Sequence, residues 1–361
     1  MDGVSKPQTK IQNRLETLDH LRGFFIVVIV IDHLSRFPSL FALISGKGLL
    51  WVTAAEGFVA ISGLLVGYVR GFKNKELPFK DVALKLIRRG ILLYIWSLIA
   101  SISYVAIIWY LPLKGGFAST PMAVGDWQTF LTQLITMKYT YVWVHFLTLY
   151  ALFLIASPIA IWLLRKNLPW AVAAISLGLL VIGWMTKSEA LQWQVLFFLP
   201  AIVGFYLQSI LKWWKEKTHS FKIATMATTI ALTATTVIAS VVFIYHGSPF
   251  FDVANYVNNT LFAKDSISLL RVGMAFLWFT GYLFVFYLLR RFIRKAFNWL
   301  LLPIGTHSLT AYILHGLAIC VISFLTIGGD NYWFNTLLGV AAILMTWGLI
   351  RIPLVRKVIP A

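Results

Sequence analysis

The chain has 361 residues, 59% hydrophobic and only 12% charged, with 31 Lys and Arg against 13 Asp and Glu and a mean hydropathy of +0.80. A soluble domain is nearer 25% charged, so an ordinary soluble fold is excluded, and repeated apolar runs of about 20 residues require membrane-crossing helices. The single Cys320 excludes an intrachain disulfide framework, and the net charge of +18 suggests nucleic acid only until its distribution is read.

Residues 1–17 are polar and lack a cleavage-site layout, so the first apolar run is expected to be an uncleaved signal anchor. Ten spans are predicted, at roughly 20–41, 48–69, 87–111, 141–164, 168–186, 191–211, 222–245, 266–289, 300–326 and 333–355. Of the Lys and Arg, 24 fall at the N-terminus, on alternate loops beginning with the second-to-third connection, and at the C-terminus. Only 7 fall on the other side, namely Arg36, Lys47, Lys114, Lys138, Lys187, Lys264 and Arg271. The positive-inside rule then puts both termini in the cytoplasm. The basicity reports orientation and anionic lipid, not nucleic acid. No linker of biased composition divides the chain. The expectation is an all-α integral membrane protein, a polytopic helix bundle forming a single domain over 1–361. Its expected place is the cell membrane, multi-pass, in a bacterial cytoplasmic membrane. The stretches 111–140 and 246–265 are the long outer connections, and the second half of the first reads as an amphipathic interfacial helix.

Ionisable groups inside lipid are costly and mark function. Only Asp32 and Glu56 among the acids fall well inside a predicted span, with Asp19 at the cytoplasmic edge; His33, His145 and His315 also fall within spans. In LDHLRGFFIVVIVIDHL, Arg22 and His33 share one helical face about 16 Å apart along the axis. Asp19 lies within about 40° of that face and Asp32 about 100° away. This places Arg22 at the cytoplasmic surface and His33 past the midplane, an anion clamp and a base on one face; the blander reading is a helix anchor and an interhelical hydrogen bond. Glu56 enters from the outer side at a similar depth, and Ala60, Gly63 and Gly67 below it permit close helix approach. The pattern predicts Glu56 against His33, where a carboxylate would fix the imidazole tautomer; a structural Glu paired with another helix is the alternative. Ser308, Tyr312 and His315 form one stripe that either lines a cavity or bonds across helices. Arg88 and Arg89 suit phosphate or simple anchoring. His145 is read as interfacial packing. No metal-binding set is expected.

These residues carry a resemblance. RLETLDHLRGFFIVVIVIDH, with Arg22 and His33 separated by ten residues, resembles the first-span signature of the acyltransferase-3 superfamily. AAEGFVAISGLLVGY, with Glu56, Phe58, Ser62 and Gly63, and GTHSLTAYILH, with Gly305, Ser308, Tyr312 and His315, resemble its OpgC-type glucan succinyltransferase branch. The resemblance covers the layout of the whole chain. It implies transfer of a succinyl or acetyl group from cytoplasmic acyl-CoA to a hydroxyl of an extracytoplasmic glycan or glycolipid, with no tightly bound cofactor. His33 would be general base or transient acyl carrier, oriented by Glu56 or, at a poorer angle, Asp32. Arg22, with Arg88 and Arg89, would hold the CoA phosphates; KLIRRGILLY leaves the choice among Lys85, Arg88 and Arg89 open. Asp19, Ser62, Ser308, Tyr312 and His315 would line the cavity. The rival classes are a proton-coupled transporter or flippase using Asp32, His33 and Glu56 as a relay, and a membrane scaffold without chemistry.

Overall fold

The structure is a computed structural model that describes residues 8–111, 120–245, 251–264, 266–325 and 331–359. Every regular element among them is helical. The longer helices are α1 (Gln8–Leu34), α2 (Ala54–Leu65, continued by a π-helical turn at Val66–Lys73), α3 (Phe79–Tyr110), α4 (His145–Arg165), α5 (Pro169–Thr186), α6 (Val195–Phe205), α7 (Leu207–Glu216), α8 (His219–Tyr245), α9 (Leu269–Leu288), α10 (Asn298–Thr306), α11 (Ser308–Leu325) and α12 (Tyr332–Leu349).

Seven of the described helices are long and apolar enough to cross a membrane. Two bent pairs raise the number to nine: the helices over 189–216 turn by 61°, and α10 and α11 meet at 106°. The apolar runs at 191–211 and 300–326 are each expected to be one span. They are broken at Tyr206 and His307, and α6 and α10 each carry an internal proline, Pro200 and Pro303, which removes a backbone donor. In the first of the two long connections, a helix at Trp127–Ile135 buries Phe130 and Leu134, as amphipathic spacing requires. Lys114 and the polar N-terminal residues 1–7 lie outside the described residues, as do 246–250 of the second connection.

Two ends of the bundle are distinguished by their ties. At one, the basic end, Arg294 grips Glu16 at the start of α1 (2.8 Å) and Arg165 caps the carbonyls of Asn74 and Leu77 (2.6 and 3.0 Å). At the other, Trp51 bonds Ser240 and Asn258 (2.9 and 2.8 Å) and Gln192 receives the Ile267 amide (2.8 Å).

Glycines decide which helices touch. A Cβ on Gly23 would collide with the Leu301 carbonyl of α10, and one on Gly305 with the Asp19 carbonyl of α1. The face of Gly63 and Gly67 meets the backbone of α6 at Phe197 and Ala201. That small-residue face therefore serves α2–α6 contact, not the α1–α2 approach expected for it. Close backbone approach of this kind substitutes dispersion for the hydrophobic drive that lipid does not supply.

Candidate active site

α1 enters at the basic end and ends at Leu34, so Arg22 and His33 stand at two depths on it. Both side chains are met by α11. His33 Nδ1 lies 2.7 Å from His315 Nε2, and His315 Nδ1 lies 2.6 Å from the Tyr312 carbonyl oxygen. A carbonyl only accepts, so His315 Nδ1 must carry the proton; with both rings neutral, His315 Nε2 accepts and His33 Nδ1 donates. The chain of two bonds leaves the lone pair on His33 Nε2. That nitrogen has no hydrogen-bond partner among the described residues, and His33 lines a cavity of about 440 Å³ with Asp32, Lys47, Thr53, Trp143, Phe146 and Lys264 among its neighbours. One carboxylate oxygen of Asp32 is buried there without a partner.

One turn of the same α11 stripe serves the other end. Arg22 Nη2 donates to Ser308 Oγ at 2.6 Å, Nη1 stands 3.9 Å from Asp19, and the guanidinium lies 5.9 Å from the Phe58 ring centroid. Its Nε is buried without a partner. The side chain is 17% accessible, so it sits inside the bundle rather than at the membrane surface expected for it: Ser308 and Phe58 draw it inward. Arg89 and Tyr150 are close enough to act on it electrostatically. Lys85 and Arg88 are exposed and Arg89 is half-buried, and of the three basic candidates on α3 only Arg89 acts electrostatically on Arg22.

The expected pairing of Glu56 with His33 is corrected. Glu56 Oε1 receives Arg271 Nε at 2.8 Å and also Arg271 Nη2, and its Oε2 receives the Thr53 amide and hydroxyl at 3.0 and 2.5 Å. Both side chains are almost wholly buried, at 0% and 3%. Arg271 also donates to the Phe262 carbonyl at 2.7 Å. The carboxylate is saturated by a guanidinium, a capping box and a hydroxyl, and the orienting place beside His33 is taken by His315. Ser62 is buried, and its hydroxyl donates to the Phe58 carbonyl of its own helix at 2.9 Å. Arg271 was counted as a loop-flanking charge; the rule that singled out Glu56, an ionisable group inside a span, applies equally to it.

Tyr312 stacks between the Phe58 ring (6.1 Å) and His315 (5.4 Å). His145, expected to pack at the interface, instead bonds Thr140 Oγ1 and Glu189 Oε2, both at 2.8 Å.

The geometry defines a bundle of membrane-length helices with Arg22 bonded to Ser308 at one level of α11 and an imidazole relay at another. The chain matches the family model described as "OpgC protein" over residues 14–355, and it belongs to the OpgC family. No curated protein and no solved structure matches it.

Proposed function

We propose that this protein is a membrane O-acyltransferase that moves a succinyl or acetyl group from cytoplasmic acyl-CoA to a hydroxyl of an extracytoplasmic glycan. In this reading α1 is a tenth span beside the nine above, and both termini are cytoplasmic. The observation that carries the proposal is the carbonyl–His315–His33 relay, which leaves one basic nitrogen unpartnered on a residue that lines a cavity large enough for a sugar. Membership of the OpgC family supports a glucan-modifying role.

The acceptor hydroxyl enters the cavity and gives its proton to His33 Nε2. The resulting positive charge is shared along the Nδ1–H···Nε2 bond to His315, whose own N–H rests on a carbonyl, so the relay stabilises the imidazolium and fixes the tautomer. The CoA phosphates are held by Arg22 and Arg89, whose planar forks bind phosphate oxygens bidentately. An anion between these two cations relieves their mutual repulsion and gives the unpartnered Arg22 Nε a counterpart. The rival proton-relay transporter loses support, because its Glu56 arm is tied to Arg271 and not to His33.

The test is to supply labelled acetyl-CoA and succinyl-CoA to membranes with and without this protein, and to follow label into extractable glycan. Protein-dependent label in the glycan is the expected result; substrate movement with no acyl-CoA consumed would replace this reading with transport.

A further inference from the structure

The Tyr312 hydroxyl is an anomaly. Tyr312 is 2% exposed, and its Oη is buried with no hydrogen-bond partner. Buried hydroxyls without partners are costly and rare. Its neighbours on the same helix stripe are both engaged: Ser308 accepts from Arg22, and His315 accepts from His33. Tyr312 lies between them in sequence, and its ring lies between Phe58, which faces Arg22, and His315. The Phe146 backbone N–H acts on Oη as a donor without a hydrogen bond of ordinary geometry, which leaves the Tyr312 O–H itself unassigned, and Phe146 lines the same cavity as His33. The ring that carries the unpartnered donor therefore touches both the aromatic neighbour of Arg22 and the partner of the base.

Resting on the acyltransferase reading above, we infer that the Tyr312 hydroxyl is a catalytic donor, hydrogen-bonding the carbonyl oxygen of the acyl group as a thioester bound at Arg22 reaches His33. His33 Nε2 takes the proton of the acceptor hydroxyl as its oxygen attacks the thioester carbon. The carbonyl π pair moves onto oxygen, where the Tyr312 O–H meets the new negative charge. Collapse re-forms the carbonyl, breaks the C–S bond, and the thiolate leaves with the proton held by His33. The free hydroxyl is then a preorganised donor awaiting substrate, and aiming such a donor at developing charge is worth about 10²–10³ in rate.

The decisive variant is Tyr312→Phe, which removes one oxygen and keeps the ring against Phe58 and His315. The expected result is a kcat lower by about 10²–10³, unchanged CoA binding, and an unchanged or higher melting temperature in detergent, since no native hydrogen bond is lost. Infrared spectra of bound acyl-CoA with a ¹³C-labelled carbonyl give an independent reading. The wild type should show the carbonyl band at lower frequency than the variant, because the hydrogen bond weakens that bond. If the wild type transfers acyl groups and Tyr312→Phe matches it within about threefold with the same band, Tyr312 has no such role while the acyltransferase reading stands. A melting temperature several degrees lower in the variant would mark the hydroxyl as structural and also overturn it. If the wild type binds no acyl-CoA, the parent reading falls and this one with it.

Discussion

The tautomer of His33 is set by a backbone carbonyl two bonds away, and that makes its role testable one residue at a time. His33→Ala should abolish transfer in a protein that still inserts and purifies normally; retention of a sizeable fraction of wild-type turnover would make His33 structural. His315→Leu removes the acceptor that fixes His33 Nδ1–H, and should lower kcat by roughly 10- to 100-fold, the range for partners that orient an imidazole. His315→Gln, which keeps an acceptor oxygen, should lose less. Combining His315→Leu with His33→Ala should cost little beyond His33→Ala, because the partner acts through the base. At the donor end, Arg22→Lys replaces a fork by a point charge and should weaken CoA binding measured by calorimetry, Arg22→Ala more so. Equal binding by all three proteins would remove the clamp. Arg22 and His33 were legible in the sequence because their spacing is set by one helix. The identity of their partners was not: Ser308 and His315 are 286 and 282 positions away, and no local period encodes which helix lies alongside α1.

Between elements, the Glu56–Arg271 pair ties the first turn of α2 to the first turn of α9, and through Phe262 to the segment that carries Lys264 to the cavity rim. The sequence showed Glu56 as an ionisable group inside a span but assigned it the wrong neighbour. Gly63 and Gly67 were read as drawing α2 to α1, whereas their face fits the α6 backbone; a stripe of small residues announces close packing without naming the partner. The correction moves the expected effect of Glu56 substitutions from chemistry to architecture. Removing one member of a buried pair leaves an uncompensated charge and typically costs about 3–5 kcal/mol. Glu56→Ala and Arg271→Ala should each lower the melting temperature in detergent markedly. The double variant should be less destabilised than the sum of the singles. Additive losses would mean that the two residues do not act as a pair.

At the scale of the whole molecule, the proposed reaction depends on sidedness, because donor and acceptor would approach from opposite faces. The asymmetry of 24 against 7 basic residues was the most legible feature of the chain, since orientation is set by summed loop charge near span ends and not by tertiary contacts. What it does not reveal is where a helix breaks, and the 106° bend between α10 and α11 is where the Ser308–Tyr312–His315 stripe begins. Orientation can be read by thiol labelling, because the native Cys320 is buried and leaves little background. A cysteine at Lys138, exposed beside the Trp127–Ile135 helix, lies on the outer side by the charge count. One at Lys75, whose side chain is 54% accessible, lies between α2 and α3, on the inner side in the proposed orientation. In sealed cells an impermeant thiol reagent should label Lys138→Cys and spare Lys75→Cys, and permeabilisation should expose the second. If Lys75→Cys is labelled in sealed cells, the arginine pair faces outward. The cytoplasmic donor would then have no route to Arg22, and the direction of transfer proposed here would be wrong even if His33 is the base.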